Sequence, residues 1–372
     1  MSGLRLGLFV LASICVANAL ADSGAFMLAP DIHGDKIAFT REGDIWLGDL
    51  TTGQAQRLTR HEGLETRARF SPDGSQIAFQ AQYDGGGTQV YVMPTAGGVP
   101  RRVTNHINSA AIEDWTPDGS KLLCRGPGAE GVPEPFLISV KGGHQQKLPL
   151  QKMGMANIGP DGRLAFNRFM DIAGGAWFRY KGGSRNDIWV GDLKTNSFKK
   201  AFESKTQAQY PQWIGDRVYF IHENNATWAL ASVNGNGGAA KYASAWNSEV
   251  TYDLQSDGKK LIYIRGNSLE VFDPVSGKAT PVNMELNSDH IHMRPQRVEA
   301  SANVLSYSIT PTGKRVLFES RGQIVSVPTK EGEVRLWKSM PGVRLQGPVM
   351  SPNGKKVAYI SDETKEQQVF VA

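Results

Sequence analysis

ARFSPDGSQIAFQAQYDGGGTQVYVMPTAGGVPRRVT, residues 68–104, reads as four short strands separated by turn words. The first ends at Phe70 and turns through Ser71-Pro72-Asp73-Gly74. Pro fixes φ at the first turn position, and Asp-Gly supplies the positive-φ step a tight hairpin needs. Ile77 to Phe79 forms the second strand, which ends in Tyr83-Asp84-Gly85-Gly86-Gly87. Gln89 to Met93 is the third, and Gly97-Gly98 leads to the fourth at Arg101 to Thr104. A four-stranded meander of this size has two apolar faces and cannot bury both alone, so it needs neighbours of its own kind.

The chain supplies them. The turn glycine recurs at Gly34, Gly74, Gly119, Gly162, Gly215, Gly258, Gly313 and Gly354, with spacings of 40 to 55 residues. SPDG at 71–74 returns as TPDG, GPDG, QSDG, TPTG and SPNG, each followed by a short apolar strand. Asp44-Ile45-Trp46-Leu47-Gly48-Asp49-Leu50 reappears nearly unchanged as Asp187-Ile188-Trp189-Val190-Gly191-Asp192-Leu193. No stretch keeps a 3.6-residue apolar period over a dozen residues, so very little helix is expected. Short strands with a turn word every 40–55 residues predict an all-β chain of β-propeller type.

Two intervals are long. That between Gly162 and Gly215 carries an insertion at 170–186, placed between the second and third strands of its unit. That between Gly258 and Gly313 contains a joint at 283–300. The expected layout is therefore a six-bladed propeller over 26–287, then the first two blades of an incomplete second propeller over 288–372. A single eight-bladed ring is the rival, disfavoured by the long joint.

Residues 1–21 read as a signal peptide: Arg5, an apolar run from Leu6 to Val16, and a small-x-small site at Ala19-Leu20-Ala21. The run is too short for a membrane span. Its removal leaves Cys124 as the single cysteine, in an apolar strand, where burial is expected over nucleophilic chemistry. Export without a disulfide suits a bacterial periplasm. Net charge is +5 but dispersed, with no basic helix or arm, so no nucleic-acid role is expected.

No catalytic constellation is legible. G-x-S-x-G and H-E-x-x-H are absent, and the serines of the turn words are read as hydrogen-bond acceptors within the turn. His33 is read as a cap of the first turn, and His290 and His292 as a solvated pair. The sequence shows no polar cluster that would place an enzyme site in the central channel. No cofactor or metal is expected. Trp46, Trp189, Tyr91 and Phe272 hold equivalent third-strand positions and are read as core between blades. The insertion differs because it breaks the repeat. Trp177, Arg179, Tyr180, Lys181 and Arg185 mix aromatic and basic groups there, and form the candidate contact for a partner or peptide.

Taken together, Leu28 to Phe39, the D-I-W-x-x-D-L strand, the W-x-x-Y-K-G-G segment from Trp177 to Gly183 and the ending Ile360-Ser361-Asp362-Glu363-Thr364 resemble the N-terminal part of tricorn-type proteases. The likeness runs over residues 26–372; the PDG word alone is shared with TolB-like propellers. The resemblance implies large serine peptidases that degrade oligopeptides, built from a six-bladed propeller, a second propeller, a PDZ domain and a catalytic domain, and assembled into rings. The family's Ser, His and Glu catalytic residues lie beyond the matching region, so none is carried over. The expected role is thus a non-catalytic portion that gates substrate, scaffolds and assembles. Its partners would be peptides or unfolded polypeptide and a catalytic half, or further copies in a ring. The alternative is a stand-alone periplasmic TolB-like propeller that binds protein or peptide.

Overall fold

A computed structural model describes residues 26–83, 85–106, 108–128, 133–169, 180–286, 301–340, 342–364 and 366–372. The chain divides into two compact units, Met1–Asp289 and His290–Ala372. The signal-peptide residues, Trp177, Arg179, His290 and His292 lie outside the described residues.

The described residues of the first unit form six antiparallel meanders. In the first sheet β1 (Leu28–His33), β2 (Lys36–Arg41), β3 (Asp44–Asp49) and β4 (Gln54–Arg57) lie in chain order. The stretch at 68–104 forms most of the second sheet, and Gly74 sits in its turn at φ +71°, as the turn word requires. Ser71 Oγ accepts the Gln76 amide at 2.9 Å, the structural duty expected of a turn serine. The six first strands touch in a cycle: β1 meets Glu65–Phe70, and so on through Ala111–Trp115, Ala156–Ile158, Gln207–Ile214 and Thr251–Ser256, which returns to β1. They surround an axial channel, and the arrangement is propeller-like.

The core lies between sheets. Ile37, Phe39 and Trp46 face the sixth sheet with Ile262, Ile264 and Leu269. From the same strands Ala38 and Ile45 face the second sheet with Ile77, Phe79 and Tyr91. Period-2 alternation therefore delivers each middle strand to two cores, which is why these strands read as unbroken apolar runs. Cys124 is fully buried between the second and third sheets, and burial pushes its thiol pKa up, as suits a core residue.

The seam between the last and first sheets is closed by residues 282–286. Val282, Met284 and Leu286 are buried there, and Glu285–Leu286 pairs in parallel with Gln54–Ala55 of β4.

The second unit has a four-stranded sheet and a three-stranded one, starting at Val304 and Leu345. Leu317, Ile324, Leu345, Val357 and Tyr359 pack between them. Leu305, Tyr307, Ile309, Val349, Val369 and Val371 remain exposed.

Candidate functional site

Five of the six first strands of the first unit carry a β-bulge, at Leu28/Asp31, Thr66/Arg69, Ile112/Asp114, Gln209/Gln212 and Tyr252/Gln255. In four of them a non-glycine residue takes positive φ: Ala29, Arg67, Tyr210 and Asp253. The extra residue bends and twists the strand and re-aims the side chains beyond it. Each sheet then presents one polar side chain at one register position: Asp31, Arg69, Asp114, Asn157, Gln212 and Gln255. These form a collar around the channel.

The collar ties each sheet to the next. Asp31 Oδ2 accepts the Phe70 amide at 2.7 Å, and Asp114 Oδ2 accepts the Ile158 amide at 2.6 Å. Asn157 Oδ1 accepts the Trp213 amide at 2.8 Å. Arg69 cannot accept through its side chain, and its carbonyl instead takes the Trp115 indole N–H at 2.9 Å. Gln212 donates to Gln255 at 3.4 Å, and Asp257 closes the circle by accepting the Gly34 amide at 3.0 Å. The second unit repeats the device, with Ser308 Oγ accepting the Met350 amide at 3.0 Å. Asn157→Leu leaves the Trp213 amide without its acceptor. A loss of about 1–3 kcal/mol is expected, measured by denaturant unfolding.

Five collar residues, Asp31, Arg69, Asp114, Asn157 and Gln255, line a cavity of about 310 Å³ at the end of the channel where the PDG-type turns lie. Pro72, Pro117 and Pro160 rim it, with His33, Trp115 and Trp213 in its walls. His33 does not cap its own turn. Its ring packs on Phe70 at 5.9 Å between centroids and sits over Gly74, where a Cβ would come within 2.5 Å of it. Burial raises Asp31 to about 6, against the pull of Arg69, and raises Asp114 to about 7, against the Ile158 and Trp115 amides. Burial also lowers Arg69. The expectation of a channel without a polar cluster is therefore corrected. The cluster was hidden because its members are scattered one per repeat, three or five residues before each turn glycine.

The candidate residues of the insertion are arranged otherwise. Half-buried Tyr180 lies against Gly182, and its hydroxyl accepts the Ser184 amide at 3.3 Å. Lys181 is exposed. Arg185 donates to Ser204 O at 2.9 Å and faces Glu203 at 3.6 Å, so it braces the loop to the next connection. Beside it is a small cleft of about 130 Å³, where Arg168 and Lys200 both approach the Trp189 ring. Trp189 is half-buried and so departs from the wholly core role of Trp46.

Ser204 Oγ lies 3.1 Å from His222 Nε2, but this pair is not a nucleophile and base. Ser204 is 1% exposed and its hydroxyl accepts the Thr206 amide. His222 Nδ1 is engaged by the Tyr242 hydroxyl at 2.9 Å where an orienting acid would be needed. No group of three His, Cys, Asp or Glu side chains suited to a metal occurs among the described residues.

The family model of the tricorn protease N-terminal beta propeller domain matches residues 24–278. The chain belongs to the tricorn protease family. Tricorn protease homolog 1 of Streptomyces coelicolor is 27% identical over 327 residues, covering 86% of this chain and 30% of the relative. A Tricorn-like protease N-terminal subunit of Sulfurisphaera tokodaii is 27% identical over 180 residues, covering 46% of this chain and 89% of that one. The crystal structure of the tricorn protease superposes with a TM-score of 0.69 at 21% identity, over 94% of this chain and 35% of that one. The tricorn-type likeness thus extends over both units, and the chain spans about a third of the length of that structure.

Proposed function

We propose that this chain is the exported, non-catalytic N-terminal propeller portion of a tricorn-like serine peptidase. In this reading residues 26–287 are a six-bladed ring that admits or releases peptides along its axis. Residues 288–372 begin a second propeller, and proteolysis belongs to a catalytic polypeptide in the periplasm with which the chain assembles. The family match carries the reading: the model of the tricorn protease N-terminal beta propeller domain takes in residues 24–278. A relative described as an N-terminal subunit supports a division between two polypeptides. The exposed apolar side chains of the second unit support it too, because sheets of this kind are stable when both faces are covered.

The test mixes the tagged chain with a polypeptide carrying the PDZ and catalytic parts of a tricorn-type protease. Co-elution is expected, with peptide hydrolysis in the mixture that a serine-hydrolase inhibitor stops. Tyr307→Lys combined with Val369→Lys should weaken co-elution at least about tenfold. Hydrolysis by the chain alone, or failure of the two to associate, overturns the proposal.

A further inference from the structure

The cavity inside the collar is an acidic chamber. Asp31, Asp114 and Asp257 all line it, and Arg69 is the single lysine or arginine among its lining residues. Asp257 lies in the turn of the sixth sheet and Arg69 in the second, with Asp31 of the first between them. The carboxyls work against each other. The charge of Asp257 opposes ionisation of Asp31, and that of Asp31 opposes ionisation of Asp114. None is saturated, since a carboxylate offers about four lone-pair sites. Asp31 takes the amides of Phe70 and Ile32; Asp114 takes those of Trp115 and Ile158 and the Asn157 side chain; Asp257 takes those of Gly34, Lys259 and Lys260. These acids do not group in a way that suits a metal, so the positive charge they fit is an organic one.

Trp213 indicates what adjoins that charge. It is 3% exposed and lines the same cavity, yet its indole N–H has no acceptor, whereas the Trp115 N–H is held by Arg69 O at 2.9 Å. The five-membered ring of Trp213 lies against Gly159, between the lining residues Ile158 and Pro160, and the tip of its six-membered ring lies against Gly235, outside the lining. The N–H edge is therefore the one turned to the cavity. A buried indole N–H ordinarily finds an acceptor. Arg69 Nε, also buried without an acceptor, makes the same demand from the second sheet. A group that carries an ammonium beside a carbonyl oxygen meets both needs, and a volume of about 310 Å³ suits a small one.

We infer that the channel cavity binds the amino end of a short peptide, with Asp31 and Asp257 holding its ammonium and the Trp213 N–H its first carbonyl. The inference deepens the reading of the channel as a peptide path. The site does not depend on a catalytic partner, since it is complete within the first unit.

The experiment titrates the full chain with tri-alanine amide, N-acetyl-tri-alanine amide and propylamine. Calorimetry reports binding at pH 8, above the values to which burial raises Asp31 and Asp114, and circular dichroism confirms the fold of each variant. Tri-alanine amide should bind saturably. Its acetylated form should bind at least about tenfold more weakly, since acetylation removes the charge-assisted bond. Propylamine, which has no carbonyl for the indole, should bind about fivefold or more weakly. Asp31→Asn and Asp257→Asn each keep an acceptor for the main-chain amides but lose the charge. Each should cut affinity about fivefold or more and shrink the preference for the free amine. Trp213→Phe keeps a ring but loses the N–H, and should narrow the gap between tri-alanine amide and propylamine. Equal binding of the free and acetylated peptides, or of tri-alanine amide and propylamine, overturns the inference. So does an absence of saturable binding to the folded wild type, an unchanged preference in both aspartate variants, or an unchanged gap in folded Trp213→Phe. If Asp31→Asn does not fold, the wild-type comparisons and Asp257→Asn still decide. Binding that succeeds while co-elution with a catalytic polypeptide fails would leave this site standing without the peptidase reading. Co-elution without any preference for the free amine would remove the site and leave that reading.

Discussion

Met284→Asp is expected to destabilise the first unit by about 4 kcal/mol or more, the scale of an unpaired charge placed in a core. For a unit of this size that is a fall in melting temperature of roughly 10 °C. The reason is topological. Five of the six sheet-to-sheet junctions are crossed by the chain as it passes from one meander to the next. The junction between the sixth sheet and the first is reached from the chain's two sides of the ring, by Met27 before the first sheet and by the segment after the sixth. Residues 282–286 make that crossing. Val282, Met284 and Leu286 turn inward while Asn283 and Glu285 turn out. The Val282 amide donates to Leu269 O of the sixth sheet at 2.9 Å, and the Glu285 amide donates to Gly53 O of the first at 2.7 Å. Met284 seats against Gly48 so closely that a Cβ there would lie 3.1 Å from its sulfur. Gly48→Val should therefore reproduce the defect from the opposite wall, by overpacking. Thermal unfolding gives the size of the effect. Hydrogen exchange gives its place, with amides of Gln54–Arg57 losing protection first. A change below about 1 kcal/mol in both variants would mean that 282–286 merely passes the seam and that the collar and first-strand contacts hold it.

That strap illustrates where the sequence stops being informative. The repeated turn word and the doubled D-I-W strand announce the meanders, because hairpin chemistry is local and its residues are contiguous. Ring closure is not local. Nothing in Pro281-Val282-Asn283-Met284-Glu285-Leu286 marks it as the partner of Gln54–Ala55, some 230 positions away. The collar was hidden for a related reason. Each of Asp31, Arg69, Asp114, Asn157, Gln212 and Gln255 is unremarkable alone, and they form a set only when each repeat is aligned on its turn glycine. That signal was present in the sequence as a polar column inside an otherwise apolar strand. The insertion drew attention because it breaks the pattern, yet Arg185 there is tied to Ser204 and Glu203. The buried polar collar sits where the pattern is kept.

The second large effect is a pH dependence written into that column. Asp114 is pushed up to about 7 in the folded chain by burial, against 3.8 for an ordinary aspartate. A carboxyl raised on folding contributes stability that is complete below its unfolded value and is lost as pH rises through the folded one. Between pH 5 and pH 8 the wild type should lose about 2–3 kcal/mol through this one group, and asparagine at the same place loses nothing. Asp114→Asn does carry a fixed cost, because its amide must face one of the donors that now bond Asp114. The cost is independent of pH, so the readout is the slope: relative to wild type, the variant gains with rising pH. Asp31, raised to about 6, should behave the same way with roughly half the amplitude. Other buried groups bend the wild-type curve as well. Glu65, raised to about 7, bends it in the same sense, and His222, lowered to about 4, in the opposite one below its unfolded value. Taking the variant against the wild type removes both. The two aspartates are coupled, since charge on Asp31 helps to raise Asp114 while Arg69 opposes it. The double variant Asp31→Asn with Asp114→Asn should therefore fall short of the sum of the singles above pH 7. Urea unfolding of the four proteins at pH 5, 6, 7 and 8 measures all of this. Parallel curves for Asp114→Asn and wild type would show that water reaches the collar freely and that its carboxyls titrate as on a surface.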